Sequence, residues 1–91
     1  MTTVDLDRSW ELHPQVSVRP EPFGALLYHF GTRKLTFLKD GRLLAVVQSL
    51  ADAPTARLAC LAAGVREDEL SAYGRALTAL ARSSMVVGRN P

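Results

Sequence analysis

The hydrophobic and polar positions of this chain change their spacing once along its length. Short apolar segments with the alternation or the length of β-strands occupy residues 15–19, 25–30 and 34–38. Beyond residue 42 the apolar positions recur every three or four residues, in three helical stretches separated at Pro54 and Gly64. Three short strands followed by three helices predict an α+β fold, with the helices packed on one side of a three-stranded antiparallel sheet.

The two central segments predict a β-hairpin. Gly31-Thr32 would join them as a two-residue turn, in which Gly31 supplies a positive φ, although a three-residue turn also fits. The shorter turn predicts the register, with Phe30 opposite Arg33, Tyr28 opposite Leu35 and Leu26 opposite Phe37. It places one set of residues on one face: Leu26, Tyr28, Phe30, Leu35 and Phe37. The other face carries Leu27, His29, Lys34, Thr36 and Leu38. We expect the first set to face the core, because the second set is mixed and includes Lys34 and His29, and a one-residue slip of the register, which would bury these two, is disfavoured.

The second strand of this hairpin has a partner on one side only. A free strand edge is a docking site for an extended peptide. Four cations flank this edge, Arg33, Lys34, Lys39 and Arg42, with Asp40 as the only acid between residues 31 and 42. The same cations also suit a solvated edge that discourages aggregation, so the residues alone leave both interpretations open.

The helical half resembles a helix-turn-helix. Residues 59–65 have the small residue, glycine and valine of such a turn, and with the hairpin beside them the whole resembles a winged helix. We expect Asp52 or Ala53 to cap the second helix, and residues 85–87 fit either a continuation of the third helix or a short strand. A DNA-binding winged helix is the alternative function. The acidic start of the third helix, residues 67–69, argues against it, because that part would meet phosphates in the major groove.

Composition and charge narrow the class of protein. With 91 residues we expect one domain, residues 15–91, preceded by a loosely ordered N-terminal arm at residues 1–14. No apolar run reaches the length of a membrane span, and the first residues lack the pattern of a signal peptide, so we expect a cytoplasmic protein without membrane contact. The net charge of +2 tolerates an acidic partner without requiring nucleic acid.

The residues that carry chemistry do not assemble into a catalytic or metal site. His13 and His29 lack further ligands at a metal-binding spacing, and Cys60 lies in an apolar helical stretch typical of a core residue. Adjacent carboxylates at residues 67–69 point in different directions around a helix and do not form an acid–base pair. The sequence therefore predicts a protein that is not an enzyme and holds no cofactor or metal.

Residues 10–33 carry a specific resemblance to a known family. The stretch Trp-Glu-Leu-His-Pro-Gln-Val at residues 10–16 and the stretch at residues 19–33 closely resemble the peptide chaperones of mycofactocin biosynthesis. The match continues through residues 35–39 and the run Ala-Cys-Leu-Ala-Ala-Gly-Val at residues 59–65. The chain is more broadly similar to the PqqD-like group of precursor-peptide recognition domains, which are small winged-helix modules. The resemblance implies a non-catalytic chaperone that binds a ribosomally made precursor peptide and delivers it to a radical S-adenosylmethionine maturase, which carries the iron–sulfur clusters.

The resemblance also implies where the peptide binds. The leader would add as a strand beside the third strand, residues 34–39, with its apolar side chains in a groove against the third helix, residues 66–83. The implied peptide-binding residues are Lys34, Leu35, Thr36, Phe37, Leu38, Lys39, Leu70, Tyr73 and Leu77. We expect a monomer that binds no nucleic acid, and the free edge also permits pairing with a second copy of the chain.

Overall fold

The computed structural model describes residues 3–22 and 24–89, and it has the mixed α+β architecture that the sequence predicts. Its strands are β1 (Trp10–Leu12), β2 (Val16–Glu21), β3 (Gly24–His29), β4 (Leu35–Leu38) and β5 (Val86–Gly88). Its helices are α1 (Gly41–Ser49), α2 (Ala56–Ala62) and α3 (Leu70–Arg82). Single 3-10 turns at Leu50–Asp52 and Glu67–Glu69 precede α2 and α3. The α+β class is confirmed, and the winged-helix label stays a prediction.

The central sheet contains β2, β3 and β4 in that order, all antiparallel, with β3 in the middle. The predicted register is confirmed, since Tyr28 lies opposite Leu35 and Leu26 lies opposite Phe37. The connection is wider than predicted. His29 N donates to Lys34 O at 3.0 Å and Arg33 N donates to His29 O at 2.7 Å, so residues 30–33 form the loop. The residue with a positive φ is Arg33 (63°), and the expectation that Gly31 supplies it was wrong.

The prediction of which sheet face packs on the core was wrong. Leu27, His29 and Leu38 are buried, whereas Phe30, Leu35 and Phe37 are exposed. His29 is buried with its Nδ1 accepting hydrogen bonds from the N–H groups of Gly31 and Thr32 in the adjacent loop, at 3.0 and 3.1 Å, while its buried Nε2 has no hydrogen-bond partner among the described residues. Its ring also packs on His13, with 4.4 Å between the ring centroids.

Lys34, the other residue that decided the predicted face, lies just beyond the core at the loop end of the hairpin and remains exposed. Lys34 therefore belongs to the inner face without its charge being buried. The same face can carry the buried aliphatic side chains of β3 and β4. Burying a charged side chain is unfavourable, as the prediction assumed, but Lys34 lies so close to the turn that its side chain stays in solvent.

The three helices cover the inner face of this sheet. Their core includes Val46 and Val47 of α1, Cys60 of α2, and Leu77 of α3, all packed in one cluster with Leu27. The N-cap of α1 is Asp40, whose carboxylate accepts a hydrogen bond from Arg42 N at 2.8 Å.

The predicted cap of α2 is corrected. Its N-cap is Thr55, whose hydroxyl accepts from Leu58 N at 3.2 Å, because residues 50–52 form a 3-10 turn that delays the start of the helix.

A second, two-stranded sheet joins the two ends of the described chain. β1 pairs antiparallel with β5, with Trp10 opposite Gly88 and Leu12 opposite Val86, so residues 86–88 adopt the strand alternative. Further toward the N-terminus, Val4 is buried and its N–H donates to Thr78 Oγ1 at 3.0 Å. Residues 1–2 of the predicted arm, residue 23, and residues 90–91 of the predicted domain lie outside the described residues. The division of the chain at residue 14 stays a prediction.

Candidate functional site

β4 forms one edge of the central sheet and, within the described residues, pairs with β3 alone. The bond from His29 N to Lys34 O makes this a hydrogen-bonded pair, and such pairs alternate with non-bonded pairs along an antiparallel ladder. Thr36 and Leu38 therefore direct their backbone groups toward β3. Leu35 and Phe37 direct their N–H and C=O groups away from β3, toward the open side, where an added strand can bind them.

The opposite edge of the sheet, along β2, is less suited to strand addition. Phe30 N donates to Gln15 O at 2.9 Å, so by the same alternation residues 16, 18 and 20 of β2 direct their backbone groups outward. Position 20 is a proline, which has no N–H to offer, and Pro22 follows directly after the strand. The two edges therefore differ, and β4 presents the proline-free one.

The solvent-facing side of the sheet is apolar. Phe30 and Leu35 are each 60% exposed and Phe37 is 44% exposed, with the half-buried Leu26 and Tyr28 beside them. The rings of Tyr28 and Phe30 meet edge to face at 4.9 Å between centroids. We call these five side chains the outer face. Contiguous exposed apolar side chains of this kind usually mark an interaction site.

The residues that α3 contributes to the predicted site lie in the core. Leu70, Tyr73 and Leu77 are buried, in one cluster with Leu38 of β4. The Tyr73 hydroxyl donates to Asp40 Oδ2 at 2.6 Å, which fastens α3 to the segment that follows β4. This hydrogen bond lowers the pKa of Asp40 and, together with burial, raises the pKa of Tyr73 to about 12.

The predicted peptide-binding residues thus fall into two groups. Leu38, Leu70, Tyr73 and Leu77 are buried in the same core cluster, whereas Leu35 and Phe37 are exposed on the outer side of β4. Lys34, Thr36 and Lys39 follow β4 from end to end. Sequence reasoning did not include Leu26, Tyr28 and Phe30 in the site, because the resemblance placed the site on residues 34–39 and 66–83, outside the preceding strand.

The N-terminal residues pack on the opposite flank of α3 from β4. Leu6 lies 3.7 Å from where a side chain on Gly74 would begin, and Val4 bonds Thr78. At 3.6 residues per turn, positions 74 and 78 stand about 100° and 140° around the helix from Tyr73, which faces the β4 side. Residues 3–6 therefore leave the edge of β4 uncovered.

Three of the four predicted cations of the edge carry unbalanced charge. Arg42 bonds Glu69 Oε1 at 3.0 Å, and this carboxylate also accepts from Arg66 N at 3.0 Å, a backbone bond that lowers the pKa of Glu69. Arg33, Lys34 and Lys39 form no salt bridge with any residue in the described ranges 3–22 and 24–89. The positive field at the edge therefore comes from these three side chains.

The described residues show no arrangement that could hold a metal ion or act as a nucleophile. No group of three or more His, Cys, Asp and Glu side chains converges among them. Cys60 is fully buried, and burial raises the pKa of its thiol, which disfavours the reactive thiolate. In the same ranges no helix combines the length and the apolar character that crossing a membrane requires.

Comparison with known proteins identifies the family. The model of the Peptide chaperone MftB family matches residues 9–87, from just before β1 into β5. The chain belongs to this family. Relatives named Peptide chaperone MftB come from Mycobacterium tuberculosis, at 64% identity over 93% of this chain and 78% of the relative, and from Mycobacterium ulcerans, at 65% identity over 91% and 76%. Another, from Mycolicibacterium smegmatis, is 61% identical over 98% of this chain and 87% of the relative. No solved structure matches the chain.

Membership of the MftB family confirms two predictions, one implied by the resemblance and the other made from the residues. The chain has a peptide chaperone role, and it is not an enzyme, because chaperoning is a non-catalytic activity. The family match spans β1 to β4 and the three helices and reaches into β5, so the open edge of β4 and the outer face both belong to the shared domain.

Proposed function

We propose that this chain binds the ribosomally made mycofactocin precursor peptide in the cytoplasm and presents it to a radical S-adenosylmethionine maturase. The leader of the precursor adds as an antiparallel or parallel strand beside β4. The observation that carries the proposal is the open edge at Leu35 and Phe37, whose backbone groups point away from β3 on the proline-free side of the sheet.

Backbone pairing sets the register of such a complex, and charge raises its association rate. Two outward residues of β4 provide up to four main-chain hydrogen bonds to an added strand. Arg33, Lys34 and Lys39 attract an acidic leader, which raises the association rate more than the final affinity, because exposed charge pairs contribute only about 0–1 kcal/mol each.

In this proposal the chain holds the peptide and the maturase carries out the chemistry. A non-catalytic chaperone contributes by holding a disordered peptide in an extended conformation. Part of the peptide's conformational entropy is then already lost before the maturase acts on it. The resemblance to the PqqD-like group and the membership of the MftB family support the precursor and the maturase as the two partners.

The test removes one outward N–H from β4 and leaves the rest of the strand. Leu35→Pro deletes the donor at the first residue of the strand, where proline is tolerated, and Leu35→Ala is the matched control that loses the side chain but keeps the N–H. Calorimetric titration with a synthetic precursor leader should give a dissociation constant roughly fivefold to tenfold larger for Leu35→Pro than for Leu35→Ala. Circular dichroism spectra must first show that both variants fold.

Equal dissociation constants for the two folded variants would contradict strand addition at β4. Duplex DNA is titrated in parallel to test the alternative function. We expect it not to bind, because the acidic turn Glu67–Glu69 would be the first part of the helix to enter a DNA groove and would meet phosphates. Delivery is measured separately, as the rate at which the maturase modifies the precursor with and without this chain. We expect the rate enhancement to fall with Leu35→Pro in parallel with peptide binding.

A further inference from the structure

The outer face lies on β3 and β4 and borders β2. Arg19 of β2, Leu26 of β3 and Phe37 of β4 lie opposite one another in one cross-strand row, because Leu26 pairs with both of the others. Tyr28 and Leu35 lie opposite each other in the next row. Neighbouring strands lie about 5 Å apart, so this row spans about 10 Å from β2 to β4. The sheet therefore presents a flat surface and not a single exposed strand.

A leader added at the edge would cover little of this surface. In the proposed complex it pairs with the outward backbone groups of β4, so its axis lies about 5 Å beyond β4 and about 10 Å from β3. Leu26 and Tyr28 belong to β3, and Phe30 follows β3 directly. These three side chains lie two strands away from the leader and stay free for a second partner.

The size and composition of the outer face are those of a transient protein–protein contact. Tyr28 and Phe30 are aromatic, and aromatic side chains are enriched where proteins bind each other. Side chains of this size that are half covered by their neighbours expose about 100 Å² each, or roughly 500 Å² for all five. A stable dimer buries roughly 800 Å² per partner, whereas transient complexes bury less. The area fits a partner that binds and is released.

The charges around the outer face favour an acidic partner. Arg33 precedes and Lys39 follows β4, and Arg19 borders the face on β2. Glu21 is the only acid in β2, β3 and β4, and its Oε1 lies 3.4 Å from Arg19 Nε. Three cations and one acid therefore surround the apolar side chains. A second copy of the chain would bring the same excess of cations against them, which disfavours self-association through this face.

We infer that the outer face is the surface on which the maturase docks, and that the docking region of the maturase has apolar side chains surrounded by acidic ones. The identity of the partner rests on the proposed function, in which the maturase is the folded protein that receives the leader. The edge of β4 and its side toward α3 are left to the leader. The two partners then bind different surfaces of one chain, and docking does not require the leader to be released first.

The test measures the two partners separately. Phe30→Ser removes a side chain that is 60% exposed on the outer face, and Leu58→Ser is the matched control, since Leu58 is 46% exposed on α2. Circular dichroism spectra first show that both variants fold. With the maturase immobilised for surface plasmon resonance, its dissociation constant should rise about tenfold for Phe30→Ser and stay within about twofold of the parent for Leu58→Ser. Calorimetric titration with a synthetic leader should give the parent value for both variants.

Reversal of one charge gives a second measurement, which does not depend on the folding of Phe30→Ser. Arg19→Glu reverses the cation that borders the outer face on β2. Arg8→Glu is the matched control, because the side chains of Arg8 and Arg19 are each 78% exposed and each lies beside one acid, Asp5 or Glu21. Arg19→Glu should slow association with the maturase severalfold at low salt, and Arg8→Glu should leave the rate nearly unchanged.

Several outcomes would overturn this inference and leave the proposed function intact. One is maturase binding that neither Phe30→Ser nor Arg19→Glu weakens, and another is an equal effect of each variant and its control. A loss of leader affinity for Phe30→Ser as large as its loss of maturase affinity would assign the outer face to the leader. A dimer of the chain alone in sedimentation experiments that Phe30→Ser dissociates would assign it to a second copy. A parent chain that fails to bind the leader or the maturase would overturn the proposed function, and this inference with it.

Discussion

Removing the Tyr73 hydroxyl tests how the end of β4 is fixed to α3. The hydroxyl donates to Asp40 Oδ2 at 2.6 Å, and Asp40 also caps α1 by accepting from Arg42 N at 2.8 Å. Tyr73→Phe keeps the buried ring and deletes only this bond. Because Asp40 connects β4 to α1, the bond couples three elements that surround the inner side of the candidate site.

The expected loss of stability is modest and can be worked from the geometry. A hydrogen bond to a charged group contributes about 1.5–3 kcal/mol. Asp40 is exposed, so water can replace the lost donor at its carboxylate, and we expect a loss of roughly 1 kcal/mol for Tyr73→Phe. For a domain of this size, that loss corresponds to a decrease in melting temperature of about 4–8 °C. Thermal unfolding followed by circular dichroism at pH 7 measures it.

The pH dependence gives the prediction its specificity. The bond holds the pKa of Asp40 below its ordinary value of 3.8, so its contribution to stability is present above that pH and is lost as the pH falls through the lowered pKa. The same bond raises the pKa of Tyr73 from 10.0 to about 12, so its contribution is present below pH 10 and is lost as the pH rises through 12. The difference in stability between the parent chain and Tyr73→Phe should therefore be largest between these limits.

Two results would refute this reasoning. One is a Tyr73→Phe variant as stable as the parent at pH 7. The other is a stability difference that does not shrink toward pH 3. A double-mutant cycle with Asp40→Ser separates the bond from the cap, because serine still caps α1 and its shorter side chain no longer meets the Tyr73 hydroxyl. The coupling free energy between the two substitutions should account for most of the loss caused by Tyr73→Phe alone.

Two further predictions concern the close approach of β3 to β4 and the charge beside β4. Gly24→Ala should lower the free energy of unfolding by at least about 2 kcal/mol in urea denaturation, because a Cβ there would overlap the Leu38 carbonyl oxygen at a φ of 149°. Gly64→Ala, with a φ of 92° and no atom within 4 Å of the new Cβ, is the control, and an equal loss in both would exclude the overlap as the cause. Reversing Lys34 and Lys39 to Glu should slow association with an acidic leader severalfold at low salt, measured by stopped flow, and the effect should vanish at high salt. Reversing Arg75 and Arg82 on α3 changes the net charge equally, so equal slowing by that pair would show that net charge, and not the position of the cations, governs the rate.

The local features of the fold followed from the sequence. Residue spacing gave the strand and helix order, and the length of the connection between the central segments gave the register of β3 and β4. The start of α2 did not follow, since the choice of Thr55 as its cap depends on a 3-10 turn that has no clear sequence signal. The pairing of β1 with β5 also escaped prediction. Each strand has three residues, and the two lie at opposite ends of the chain, so no local pattern relates Trp10 to Gly88.

The sheet face was the important error, and its cause bears on function. The hairpin carries apolar residues on both faces, so a period of two cannot decide which face is buried. The choice then depended on His29 and Lys34, and both could occupy the inner face, one by bonding the loop and the other by lying beyond the core. A sheet that buries only one face does not need Phe30, Leu35 and Phe37 on the other face for its packing. A second apolar face on an edge hairpin is therefore better explained by a binding partner than by packing, and the residues that misled the prediction of the core are the ones that we expect to contact the maturase.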